Sequence, residues 1–186
     1  MRIIFANIDE KPINKFDDKV KYVFITDNKN SINKYTDIKI KPIVIMYNGS
    51  YVVDLENNSV IINKPIDENS CNKIIEYGNL HKVILNKEHI DNNVFLIKIT
   101  TDNYHRRLII PYMFKDLFPD VGCITRDKSI YVYSKKASLI NAIDEVLNYL
   151  NVTNNYVDLE NIYTNVSSET FNRDNVNWKG IDICEN

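Results

Sequence analysis

The run Pro42-Ile43-Val44-Ile45-Met46-Tyr47 narrows the folds open to this chain more than any other stretch. It is apolar throughout and rich in β-branched residues, so it reads as a strand buried on both faces, which is the condition of a parallel sheet covered by helices. Asn48-Gly49 follows it directly. Tyr51-Val52-Val53 and Val60-Ile61-Ile62 then flank Leu55-Glu56-Asn57-Asn58. Asn and Gly tolerate the positive φ that a sharp reversal requires, so residues 51–62 read as a hairpin. The expected sheet is mostly parallel.

Two earlier runs repeat the pattern of an apolar strand opening into polar residues. Ile3-Ile4-Phe5-Ala6-Asn7-Ile8-Asp9-Glu10 ends in two candidate site residues, Asn7 and Asp9, and Lys21-Tyr22-Val23-Phe24-Ile25-Thr26 ends in a third, with Asp27 next to it. Ligands of open α/β sheets bind beyond the carboxyl ends of the strands. Asn7, Asp9, Thr26 and Asn48 are therefore expected on one rim. Asn7 and Asp9 share a strand face if the strand lasts that far. Residues 31–39 read as a short helix.

From Lys64 the pattern changes. A helix is expected over 70–79, a strand over 94–99, and a helix over 102–118 that Pro111 interrupts or shifts, since proline lacks the N–H and crowds the preceding turn. Two short strands surround Arg126-Asp127-Lys128. Leu139, Ala142, Ile143, Val146, Leu147 and Leu150 then recur at helical spacing, with Ser138 placed to cap that helix. Tyr156-Val157-Asp158 reads as a strand ending in an acid, 164–177 is polar, and 180–184 reads as a final strand. There is no internal repeat.

Composition removes several classes of function. The chain has 186 residues, 44% hydrophobic and 26% charged, with a net charge of −2. That is enough to bury a sizeable core, and it offers no general attraction for phosphate backbones or anionic membranes, so neither a nucleic-acid nor a membrane partner is expected. Cys71, Cys123 and Cys184 lie far apart with no CxxC pair, which suits a reducing, cytoplasmic setting and buried thiols better than a disulfide framework or zinc site. His81, His89 and His105 are scattered, and Tyr104, Tyr112, Tyr131 and Tyr133 read as packing residues rather than a base-stacking platform.

Taken in order, the segments resemble the haloacid dehalogenase superfamily, and in particular its Cof-type sugar-phosphate phosphatases, in a degenerate and shortened form. Residues 3–10 look like the strand that runs into Asp-x-Asp-Gly-Thr. Residues 23–28 look like the second motif, normally Ala-Thr-Gly-Arg, and 43–54 are similar to the family's strand, Asn-Gly-Ala and hairpin. Residues 138–152 resemble the helix that begins Ser-Lys-Gly-x-Ala-Leu, and 156–162 the Gly-Asp-x-x-Asn-Asp motif. The resemblance implies an α/β fold: a Rossmannoid core with a mostly parallel sheet over residues 1–63 and 132–186, and a small α/β cap inserted over 64–131.

It also implies a chemistry. In the family the first aspartate attacks phosphorus, the second is the acid/base, and Thr and Lys groups hold the phosphoryl, while acids of the last motif position Mg²⁺. An anionic nucleophile and hard oxygen ligands are what such a reaction needs. Carried over residue by residue, Asn7 stands at the nucleophile position and Asp9 at the acid/base position. Thr26, Asp27 and Asn48 fall at phosphate-binding positions, and Asp9, Asp158 and Asn161 at metal positions. Leu139 replaces the lysine, with Lys135 and Lys136 one turn upstream, and Ile162 replaces the last acid. A neutral amide is a poor nucleophile and a weak metal ligand. The expected function is thus a catalytically inactive or strongly impaired phosphatase relative acting as a binding or regulatory module for a protein or a small phosphorylated ligand. The alternative is an active Mg²⁺-dependent phosphohydrolase on sugar phosphates or nucleotides.

Overall fold

The computed structural model describes residues 2–9, 13, 16–35, 39–152 and 157–160. They form two compact units: the described residues up to Ile62 together with those from Leu139 onward, and Asn63–Ser138.

The first unit is built on β1 (Arg2–Asn7), β2 (Val20–Thr26), β3 (Ile43–Met46), β4 (Tyr51–Asp54), β5 (Ser59–Asn63) and β10 (Val157–Glu160), in the spatial order β10-β1-β2-β3-β4-β5. β10, β1, β2 and β3 run parallel, and β4 turns back antiparallel on β3. This is the mostly parallel α/β sheet expected from the apolar runs. Side chains alternate across a strand. Ile3, Phe5, Val23, Ile43 and Ile45 accordingly pack with Ala142, Ile143, Val146 and Leu147 of α4 (Leu139–Tyr149). Phe24 and Tyr22, out of phase with Val23, meet Phe16 and Tyr35 in an aromatic cluster, with Phe24 and Tyr35 ring centres 4.8 Å apart.

Two expectations shift at the rim. β1 stops at Asn7, and Ile8 and Asp9 form a turn, so Asn7 and Asp9 do not share a strand face. The helix expected over 31–39 is the shorter α1 (Lys29–Asn33), started where the Asn28 side chain accepts from the Asn30 N–H.

The second unit is an antiparallel sheet, β6-β7-β9-β8, of β6 (Ile84–Ile90), β7 (Asn93–Thr100), β8 (Val121–Arg126) and β9 (Ser129–Ser134). α2 (Glu68–His81) and α3 (Tyr104–Leu117) cover one face, where Ile74, Ile110 and Phe114 pack on Ile97, Ile99, Ile130 and Val132. α3 runs uninterrupted through Pro111. Ile110 and Phe114, both buried, hold the helix to the sheet on either side of the proline, and that packing outweighs the lost backbone bond. β9 contains residues 131–133, so the division expected at 131/132 runs through a strand of this unit.

Candidate functional site

The site lies where β1, β2 and β3 end. The Ile8 N–H donates to the Ile25 carbonyl at 3.1 Å, which keeps the chain beside β2 for one residue past β1 before it turns. The Asn7 side-chain carbonyl then accepts the Asp9 N–H at 3.1 Å. This local bond is the Asx-type closure that makes asparagine common where a strand breaks. It aims the Asp9 carboxylate at the end of β2.

There the carboxylate finds three donors. Oδ1 accepts from the Thr26 hydroxyl at 2.6 Å and the Ser31 hydroxyl at 2.7 Å, and Oδ2 from the Asp27 N–H at 2.8 Å. Thr26 and Ser31 are buried, with 2% and 5% of their surface exposed, so their hydroxyls need these partners. Thr26 Oγ1 also accepts the Asn28 N–H at 2.9 Å, and its backbone carbonyl accepts the Tyr47 N–H at 3.2 Å. The Asp27 carboxylate in turn accepts the Asn48 N–H at 3.1 Å. Asn48 sits in a left-handed stretch, with φ of 53° at Tyr47, 55° at Asn48 and 81° at Gly49, which is the conformation that Asn-Gly favours. Asn7, Asp9, Thr26, Asp27 and Asn48 therefore form one hydrogen-bonded chain across three strand ends.

Other expected site residues fall elsewhere. The backbone register sets Asp158 beside Ile4, three residues before Asn7. At about 3.3 Å per residue that is roughly 10 Å short of the rim. Asn161 and Ile162 lie outside the described residues, as do the stretches over 164–177 and 180–184. Leu139, expected from the resemblance to replace the family's lysine, is half-buried against the core of the first unit. Lys135 and Lys136 are exposed and belong to the 63–138 unit. His81, His89 and His105 are exposed. Among the described residues no group of three or more His, Cys, Asp or Glu side chains is arranged to hold a metal ion.

Ser31 is the site residue that the sequence reading passed over. Its signal is weak: a hydroxyl in the first turn of a very short helix, five residues after Thr26. A buried acid, Asp54, was also missed. It lies at the other end of β3, opposite Ile43, where its carboxylate accepts the Glu56 N–H (2.8 Å), Asn57 Nδ2 (2.8 Å) and the Tyr149 hydroxyl (3.0 Å). Burial pushes its pKa up, but these bonds and the Lys21 charge outweigh burial and hold it below the ordinary carboxylate value. Its distance from the rim makes it a structural lock between the β4–β5 turn and α4. Burial also raises the Cys71 thiol and pushes Cys123 up to about 12, which disfavours the thiolate at both.

The description of haloacid dehalogenase-like hydrolases matches residues 26–183, most of the chain. The chain belongs to the haloacid dehalogenase-like hydrolase family. The match begins at Thr26, so the strand and turn that carry Asn7 and Asp9 lie before it. Solved structures agree in fold. A haloacid dehalogenase-like hydrolase from Bacteroides thetaiotaomicron superposes with a TM-score of 0.69 at 8% identity, covering 85% of this chain and 80% of its own. One from B. subtilis gives 0.64 at 13% identity, covering 81% and 79%. A sugar phosphatase of haloacid dehalogenase subclass IIB gives 0.60 at 12% identity, covering 85% and 79%. A search of curated protein sequences returns no match. Among the described residues of this haloacid dehalogenase-like chain, no helix is long and apolar enough to cross a membrane.

Proposed function

We propose that this chain is a haloacid dehalogenase-like protein whose phosphoryl-transfer site is silent, and which acts as a binding or regulatory module for a protein partner or a small phosphorylated ligand. The observation that carries the reading is the state of the two residues at the acid positions. Asn7 offers a neutral amide, and its oxygen is turned onto the Asp9 N–H. Asp9 offers a carboxylate, but both its oxygens already accept hydrogen bonds from Thr26, Ser31 and Asp27.

Among the described residues, the donor set at this rim does not fit the Mg²⁺ that the family implies. Mg²⁺ demands near-octahedral oxygen coordination and usually takes one or two carboxylates. At this rim the carboxylate of Asp9 is committed to three protein donors and that of Asp27 to the Asn48 N–H. To bind Mg²⁺ directly, Asp9 has to give up its bonds to the Thr26 and Ser31 hydroxyls; Thr26 Oγ1 keeps the Asn28 carbonyl at 3.0 Å as an acceptor, and the bond lost at buried Ser31 costs about 1–3 kcal/mol. A carboxylate held in this way ties strand ends together instead of serving as an acid/base.

The reading is tested by thermal unfolding of the full chain with and without millimolar Mg²⁺, and with inorganic phosphate or glucose 6-phosphate. Mg²⁺ alone is expected to leave the midpoint unchanged. A rise with Mg²⁺ that disappears in Asp9→Asn overturns the silent-site reading.

A further inference from the structure

We infer that the outer face of α3 is a self-association surface, on which a second copy of this chain docks its own α3 in the antiparallel sense. This inference is independent of the silent-site reading.

α3 is apolar on both sides. Ile110 and Phe114 face the sheet and are buried, whereas Tyr104 is 60% exposed, Leu108 47%, Ile109 52% and Tyr112 75%. At 100° per residue, Leu108, Ile109 and Tyr112 fall on one stripe opposite Ile110 and Phe114, with Tyr104 at its edge. A surface helix normally presents polar residues there. His105 and Asp116 project from the same stripe, one at each end of the helix.

That pattern selects the occupant. Antiparallel pairing about a two-fold axis between Ile110 and Pro111 sets residue i of one copy against 221 − i of the other. Ile109 then meets Tyr112 and His105 meets Asp116, each contact occurring twice as a two-fold interface requires. The helix termini argue the same way. His105, Arg106 and Arg107 crowd the first turn, the positive end of the helix dipole, which has no acidic residue to offset them. Arg106 and Arg107 are turned onto the carbonyls of His81 and Thr101, at 3.0 and 2.9 Å. His105 is left facing outward. An antiparallel neighbour brings to it both Asp116 and the negative end of its own helix. Tyr112, exposed and centred in the stripe, is also the residue type that anchors protein interfaces. One helix face is a small interface, so the dimer is expected to be weak and to form only at high protein concentration.

Sedimentation velocity on the full chain over a concentration series tests the proposal. Wild-type protein is expected to pass from monomer to dimer. Leu108→Glu, at an exposed position that leaves the fold intact by circular dichroism, is expected to weaken association by about tenfold or more. Asp116→Lys and His105→Glu are each expected to weaken it, and the double variant to restore it, because each copy then regains two opposite-charge contacts. A monomer at every concentration, a dimer indifferent to Leu108→Glu, or a double variant no better than the singles overturns the proposal.

Discussion

The Thr26 hydroxyl donates to Asp9 Oδ1 across 2.6 Å, joining the end of β2 to the turn that leaves β1. The bond is charge-assisted, and its donor is almost wholly buried, so it belongs to the stronger class of side-chain hydrogen bonds. It makes Asp9 a keystone of the rim.

Thr26→Val keeps the shape of the side chain but removes the donor. We expect it to lower unfolding stability by about 1.5–3 kcal/mol in urea denaturation, with a smaller loss in Ser31→Ala, which leaves in place the Asn28 N–H bond that Thr26 Oγ1 accepts. Because the two hydroxyls share Oδ1, the double variant should depart from additivity.

Asn7→Asp places an acid two residues before Asp9 while keeping the oxygen that accepts the Asp9 N–H. Two carboxylates two residues apart repel, so the variant should be less stable than wild type at neutral pH and regain stability on addition of Mg²⁺. Thermal unfolding with and without Mg²⁺ reads both effects. On the silent-site reading, little phosphatase turnover should accompany the metal response.

The Asp54 carboxylate is held below the ordinary value of 3.8 by its hydrogen bonds, against burial. A group with a depressed folded-state pKa adds stability that is present in full above its unfolded value and is lost as pH falls through the folded one. Asp54→Asn should therefore be less stable than wild type at neutral pH, and the difference should shrink as pH falls below about 4. Burial and Glu145 raise Asp144, whose contribution runs in the opposite sense and is common to both proteins. Tyr149→Phe, which removes one donor, should cost about 1 kcal/mol. Urea titrations across the acid range measure both.

Lys82 closes α2 in the left-handed region, at φ 52° and ψ 45°. A side chain there pays a steric cost that glycine avoids, and glycine's greater freedom in the unfolded chain offsets only part of the gain. Lys82→Gly should raise stability by up to about 1 kcal/mol, seen as a higher thermal midpoint.

The first unit was legible because its strands are buried: Ile43–Met46 and Val20–Thr26 carry apolar residues that no other element tolerates so well. β6 was not. Its residues are largely exposed, and a register shift between Glu88 and His89 breaks the two-residue alternation by which a strand is recognised. The tyrosines of α3 misled for the converse reason, since Tyr104 and Tyr112 read as packing residues yet stand outward. At the site, Asn7, Asp9, Thr26 and Asn48 were visible as polar residues at apolar strand ends. Ser31 was hidden because its contact with Asp9 joins elements 22 residues apart.

Hydrolysis of p-nitrophenyl phosphate and a sugar-phosphate panel by the purified full chain, with Mg²⁺ present and alongside Asp9→Asn, tests the silent-site reading most directly. The account predicts that wild type and Asp9→Asn are indistinguishable from a protein-free control. Mg²⁺-dependent turnover by wild type that Asp9→Asn abolishes would contradict it.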